Sequence, residues 1–149
     1  MSETTHTVFL SYAHEDRGKI AELRMWLKDA LGERGLSVWD DTSIRPGEDW
    51  SQAISDAINA CDAVVLLVSP NYLKSGICNF EMGMVVQAAL DAPEKKVVPF
   101  LLEGSVSEQL PPPVRQFPSM KAEKKNIRLL TAQMKQGKRS PRRTKFRRI

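Results

Sequence analysis

Ala63-Val64-Val65-Leu66-Leu67-Val68-Ser69-Pro70 is the stretch that decides the fold. A strand with one wet face alternates apolar and polar side chains. Six apolar residues in a row, ended by Ser-Pro, read instead as a strand buried on both faces, the pattern of a parallel sheet between helices. The run is far too short for a membrane-spanning helix, which needs roughly 20 residues. Just before it, Trp50, Ile54, Ala57, Ile58 and Cys61 recur at helical spacing. Just after it, residues 70–76 read as a loop. Residues 78–90 follow as a helix, apolar nearly all round and therefore expected to be buried.

The same alternation extends in both directions. Residues 7–12 (TVFLSY) and 36–40 (LSVWD) read as strands. Between them, residues 16–31 place Ile20, Leu23, Leu27 and Leu31 on one helical face, closed by Gly32 and Gly35. Residues 42–49 form a loop with a Pro-Gly turn. Residues 96–102 (KVVPFLL) are a further strand, in which Pro99 points to an edge or a bulge. This βαβαβαβ order predicts an α/β fold: a flavodoxin-like, doubly wound parallel sheet of four to five strands with helices on both faces. Sites in such sheets lie in the loops at the carboxyl ends of the strands, which begin here at Ala13, Asp41, Pro70 and Glu103. Farther on, Pro111-Pro112-Pro113 reads as a rigid extended linker, residues 117–122 as a possible fifth strand, and residues 124–136 as a last helix with Ile127, Leu130 and Met134 inward. The expected organisation is one domain over residues 1–136 and a basic, disordered tail over residues 137–149.

Charge divides along the same line. Residues 1–114 carry 9 basic and 17 acidic side chains, a net of −8, and residues 115–149 carry 13 basic and one acidic, a net of +12. The sequence pI near 9.2 therefore describes the end of the chain and not the predicted sheet. The tail is open to three readings: a solvated end, a non-specific contact with nucleic acid or an anionic surface, or a clamp on the acidic body. Two cysteines without CxxC spacing and two histidines argue against a zinc site or disulfide framework and suit a reducing cytoplasm. The first six residues carry no basic or apolar segment, so no signal peptide is expected, and no run is long enough for a transmembrane segment. No G-x-G-x-x-G, G-x-x-x-x-G-K-[ST] or G-x-S-x-G appears. A phosphoacceptor Asp after the third strand is also missing, since that strand ends in Ser69-Pro70.

Four segments on the predicted strand ends together resemble a TIR (Toll/interleukin-1 receptor) domain, and the short sequence is most similar to prokaryotic members that cleave NAD+. They are Val8-Phe9-Leu10-Ser11-Tyr12, Arg45-Pro46-Gly47 in the position of the family's BB loop, Val64–Pro70 with Asn71-Tyr72-Leu73-Lys74-Ser75, and Gly76-Ile77-Cys78-Asn79-Phe80-Glu81. Two features depart from the family pattern. Ile77 stands where many catalytic members have Trp, and Phe117-Pro118 is the nearest match to a Phe-Trp pair near the last helix.

The resemblance implies one of two activities. The first is an NAD+ glycohydrolase, in prokaryotic signalling or defence, that releases nicotinamide and ADP-ribose or a cyclic form of it. NAD+ would be its substrate, with no cofactor. The second is a non-enzymatic module that assembles with other TIR domains through the BB loop. The family's catalytic carboxylate falls on Glu81. Cleavage of the nicotinamide–ribose bond builds positive charge on the sugar, which a carboxylate can stabilise. Read without the family, Glu81 is an ordinary first-turn helix acid, its ionised form favoured by the helix dipole. The resemblance places Ser11, Tyr12 and Ala13 in the nucleotide pocket; strand-end packing explains them equally well. His14 is a phosphate contact or an exposed loop residue. Asp40 orients the BB loop or caps its turn, and Ser43, Arg45 and Gly47 lie in that loop. Arg45 is suited to a pyrophosphate, to a neighbouring protomer or to solvent. Ser69 and Tyr72 border the pocket, with Tyr72 offering a stacking face or a structural ring. Cys78 is a small apolar filler with a minor site role, and Ile77 stands at the pocket without the family's aromatic ring.

Overall fold

The computed structural model describes residues 6–134. Five strands, β1 (His6–Ser11), β2 (Leu36–Trp39), β3 (Ala63–Val68), β4 (Lys96–Leu101) and β5 (Met120–Lys121), form one sheet in the order β2-β1-β3-β4-β5. Every pairing is parallel, and the fold is the doubly wound α/β arrangement expected from sequence. Six helices accompany it: α1 (Ala21–Glu33), α2 (Trp50–Ala60), α3 (Pro70–Lys74), α4 (Gly76–Asp91), α5 (Pro112–Arg115) and α6 (Lys124–Ala132).

All six residues of β3 are buried, none more than 3% exposed. Its period-two alternation sorts the interior into two layers. Ala63, Val65 and Leu67 join Val8 and Leu10 of β1 beneath α1 and α6, while Val64, Leu66 and Val68 join Phe9 beneath α2 and α4. Ser11 shares the parity of Phe9, so it turns toward the α4 layer. That single step of register brings a hydroxyl to the end of the sheet where the cavity lies.

Several local expectations are corrected. The first helix begins at Ala21 and not at Asp16, because residues 14–16 form a 3₁₀ turn in which Asp16 is fully buried and bonded to Ser69 and Asn71. Residues 70–74, expected as loop, are helical. Ser69 Oγ accepts from Tyr72 N at 3.0 Å, and Pro70 occupies a first-turn position where no N–H is needed. Ser75 ends α3 and caps α4, accepting from Cys78 N at 3.1 Å. Helix α4 is not buried all round. One stripe faces the sheet (Cys78, Glu81, Met82, Val85, Ala88), while Ile77, Phe80 and Leu90 are exposed, since a helix lying on one face of a sheet can cover only that stripe. Pro112 opens α5, so the proline run is not an extended linker; its fixed φ suits a first helical turn.

Pro99 is explained by strand parity. Lys96 N donates to Asp62 O and Leu102 N to Val68 O, so even-numbered residues of β4 turn toward β3. The Pro99 nitrogen faces the other side, where β5 pairs only Phe100 and Leu101. The missing donor thus falls on an open stretch of edge. The strand expected over residues 117–122 is reduced to Met120–Lys121, and Ile127, Leu130 and Met134 are buried as expected. The basic tail, residues 137–149, lies outside the described residues. No helix among the described residues is long and apolar enough to cross a membrane.

The two-layer core makes a direct prediction. Leu66→Ala, at a fully buried site in β3, lowers unfolding stability by about 2–5 kcal/mol. Leu129→Ala, at a site 58% exposed on α6, changes it by less than about 0.5 kcal/mol. Urea denaturation of both variants checks the difference.

Candidate functional site

A cavity of about 590 Å³ opens at the carboxyl end of β1, walled by α2, α4 and the loops that follow β1 and β2. Its size suits a small organic ligand, for which pockets of about 300–1,000 Å³ are usual. The chain reverses direction across the sheet between β1 and β3, and parallel sheets leave a crevice at such a switch point.

Glu81 reaches this cavity from the sheet-facing stripe of α4 and is only 6% exposed. It is the sixth residue of the helix, not a first-turn acid, so the expected benefit from the helix dipole does not reach it. Burial pushes its carboxyl up to about 7, with Asp41 adding to the rise; a hydrogen bond from Ser11 and the proximity of His14 partly offset it. Ser11 Oγ donates to Glu81 Oε1 at 2.5 Å. The charged form is therefore held by one neutral hydroxyl inside an otherwise apolar helix face.

Ser11, Tyr12, His14, Arg45, Ile77 and Cys78 line the cavity with Glu81. His14 is hydrogen-bonded to Asp41, which links the two strand-end loops across the cavity mouth. The Tyr12 ring carries the Arg24 guanidinium 5.6 Å from its centre, and its hydroxyl is 3.5 Å from Asp41 Oδ1. Arg45 is exposed, with no ion pair to its guanidinium among the described residues. Cys78 is buried, and burial pushes its thiol up to about 12, so it fills space and is no nucleophile at neutral pH.

The other expected site residues do not line the cavity. Ala13 is a core residue at the head of the 3₁₀ turn. Asp40 is buried and caps the turn at residues 41–43, where Ser43 completes a reciprocal capping pair. Arg24 donates to Asp40 from Nε at 3.0 Å and from Nη2 at 2.7 Å. Burial opposes ionisation of Asp40, but the bonds from Thr42 and Arg24 and the charges of Arg24 and Lys28 outweigh it, so its carboxyl lies below the usual range. Gly47 sits at the exposed tip of the loop with φ +88°, a conformation that favours glycine. Ser69 is the fully buried cap of α3. Tyr72 is also fully buried, so it offers no stacking face to a ligand; its hydroxyl lies 2.8 Å from Ser11 Oγ.

Sequence reasoning missed Trp50 and Asp41. Trp50 lines the cavity, is 48% exposed and meets Phe80 edge-on at 6.0 Å between ring centres. Its helical spacing with Ile54 and Ala57 suggested core or rim, and only its place at the first turn of α2, beside the loop, hinted otherwise. Among the described residues, no three His, Cys, Asp or Glu side chains converge as metal ligands.

Comparison with known proteins identifies relatives of this fold. A family model described as TIR domain matches residues 8–136. The chain is 30% identical over 112 residues to a probable 2′ cyclic ADP-D-ribose synthase, BdTIR, of Brachypodium distachyon, covering 74% of this chain and 46% of that protein. It is 27% identical over 109 residues to a probable 2′ cyclic ADP-D-ribose synthase, TcpO, of Methanobrevibacter olleyae, covering 72% of this chain and 30% of that one. The chain thus spans less than half the length of these relatives. Among solved structures it resembles a metazoan TIR-STING receptor from C. gigas, with a TM-score of 0.67 and 28% identity over 89% of this chain and 42% of that one. With the family model matching nearly the whole described chain, from β1 through α6, this chain belongs to the TIR domain family.

Proposed function

We propose that this chain cleaves NAD+ at the nicotinamide–ribose bond. The observation that carries the reading is Glu81, a buried carboxylate at the floor of a ligand-sized cavity, hydrogen-bonded by one hydroxyl and with no ion-pair partner among the described residues. The two relatives named as 2′ cyclic ADP-D-ribose synthases support it.

The chemistry follows from charge. The C–N bond breaks with its electron pair moving to the nicotinamide nitrogen, so the leaving group departs neutral and needs no acid. The ribose C1′ is left with oxocarbenium character, which ionised Glu81 stabilises in a site of low dielectric. Water then adds to C1′ and loses a proton, giving ADP-ribose; a ribose hydroxyl of the same molecule adding there gives a cyclic product. On the loop side the cavity is lined by Arg45 and by the bonded His14–Asp41 pair, with Glu15 beside them. Arg45, without an ion pair among the described residues, is suited to the pyrophosphate, and Glu81 at the floor is suited to the cationic nicotinamide riboside end. Trp50 supplies the planar face that Ile77 does not.

Assembly is a second part of the reading. The loop bearing Arg45, Pro46 and Gly47 is exposed, as are Ile77, Phe80 and Trp50 beside it, and such a surface fits a TIR–TIR contact. A chain that assembles but never releases nicotinamide would be a non-enzymatic module.

Four outcomes are expected. Glu81→Ala lowers nicotinamide release from NAD+ by about 10²-fold or more, measured on concentrated protein by chromatography. In the parent, release climbs about tenfold per pH unit below the Glu81 value of about 7 and levels off above it. Stability carries the opposite sign. Glu81 holds its proton more tightly folded than unfolded, where its ordinary value is 4.5, so its contribution falls as pH rises from 4.5 to about 7. Glu81→Gln is therefore more stable than the parent at pH 8, by up to about 3 kcal/mol, and the gap closes toward pH 5, as urea titrations at the two pH values will show. Finally, Arg45→Asp weakens self-association at least several-fold in sedimentation velocity while leaving the monomer folded.

A further inference from the structure

The hydroxyl that holds Glu81 is itself held. Ser11 Oγ lies 2.5 Å from Glu81 Oε1 and 2.8 Å from the Tyr72 hydroxyl. A serine hydroxyl has one proton to give, and an ionised carboxylate can only accept. With the Ser11 proton on Glu81, the bond to Tyr72 has one direction left: the phenol donates to Ser11. Tyr72 is fully buried, and its hydroxyl has no other hydrogen-bond partner among the described residues. The reverse order, Glu81 to Ser11 to Tyr72, would leave the phenol proton buried without an acceptor, a loss of about 1–3 kcal/mol.

We propose that Tyr72 and Ser11 are positioning residues for Glu81, forming a one-way hydroxyl chain that pins Oε1 as an acceptor against β1 and leaves Oε2 as the oxygen that faces the reaction and takes or gives a proton. The chain has a fixed foundation. Ser69 Oγ accepts from Tyr72 N at 3.0 Å and donates to Asp16, while Asn71 Nδ2 donates to Asp16 Oδ1 at 2.9 Å. Asp16 and Ser69 are both 0% exposed. The turn after β1, the cap of α3 and the tyrosine ring are thereby locked as one unit, and the ring packs in the α4 layer. Chains of this kind strengthen each member, because each donor is polarised by the next.

The groups facing Glu81 come from every neighbouring element. Ser11 lies on β1, His14 and Asp41 on the two strand-end loops, Tyr72 on α3 and Cys78 on its own helix. Only Ser11 touches the carboxylate by hydrogen bond among the described residues. Removing links from the chain therefore acts on Glu81 in graded order.

The inference rests on Glu81 being the carboxylate of NAD+ cleavage, so its test reads Glu81 without substrate. The full chain, labelled with ¹³C at glutamate Cδ, is titrated by NMR, with Glu81→Gln identifying the signal. Ser11→Ala is expected to raise the Glu81 midpoint by about 1–2 pH units. Tyr72→Phe, which removes one oxygen from a fully packed ring, raises it by a few tenths of a unit. Ser11→Thr, which keeps the hydroxyl, restores the parent midpoint. In nicotinamide release the Tyr72→Phe variant loses activity about twofold below pH 7, through kcat and not KM, and recovers above pH 8. Midpoints unchanged in both Ser11→Ala and Tyr72→Phe overturn the chain. So does a shift in Ser11→Ala alone, or a KM change with an unmoved pH profile. Should Tyr72→Phe fail to fold, 3-fluorotyrosine placed at residue 72 decides: its more acidic phenol is a stronger donor and lowers the Glu81 midpoint, and an unmoved midpoint overturns the chain. Graded midpoints in a chain that releases no nicotinamide would uphold the relay and refute the NAD+ reading.

Discussion

Six apolar residues that must be dry on both faces govern the rest of this molecule. Ala63–Val68 can satisfy its backbone only sideways, against β1 and β4, and can bury its side chains only if helices cover the sheet above and below. Those demands force parallel neighbours, because each crossover must carry a helix. They also force the chain to leave β1 toward β2 on one side and β3 toward β4 on the other. Between the diverging ends of β1 and β3 no loop can fill the space, and the cavity occupies it. The position of the site follows from the packing of β3, before any property of Glu81 is considered.

Much of this was legible in one dimension. The runs ending at Ser11, Trp39, Val68 and Leu101, and the helical spacing of Leu23, Leu27 and Leu31 or of Ile54 and Ile58, are periodic, and periodicity survives without neighbours. The elements that were misread are those whose reason is tertiary. Helix α3 has five residues, too few to show a period, and exists because Ser69 caps it and Tyr72 fills the core. The head of α1 was displaced because Asp16 bonds to residues 53 and 55 positions away, a partnership with no local signal. Helix α4 was expected to be buried on all sides because apolarity alone does not say how many faces are covered. Its uncovered face now supplies the rim of the cavity.

The candidate site was legible by residue type more than by role. Glu81 interrupts a stripe of Cys78, Met82, Val85 and Ala88, where an apolar side chain would pack better. A local choice at odds with its surroundings marks a functional position more often than a defect. Its chemical character was misjudged, however. From sequence the helix start favoured an ionised acid; in the fold the sixth residue of the helix is beyond that field, and desolvation dominates. Ser11 lines the cavity as the resemblance implies, whereas Tyr72 lies behind it, bonded to Ser11 by a contact that joins residues 61 positions apart and so leaves no local signal.

Two buried acids in the same small domain differ in the way that the proposed reaction would require of a catalytic carboxylate and a structural one. Asp40 and Glu81 are 1% and 6% exposed. Asp40 accepts from both Nε and Nη2 of Arg24 and from Thr42, and its charge is matched where it stands. Its carboxyl is held below the usual range, and its field is cancelled within the wall of the loop it caps. Glu81 is given a single neutral donor and no ion-pair partner among the described residues. A matching arginine beside it would have lowered the cost of burial, but would also have cancelled the field on which the proposed cleavage relies. A neutral hydroxyl orients the carboxylate without neutralising it, and the apolar stripe keeps the dielectric low, so the charge remains available to whatever cation enters the cavity. Burial, with no ion pair to offset it, pushes the Glu81 carboxyl up to about 7.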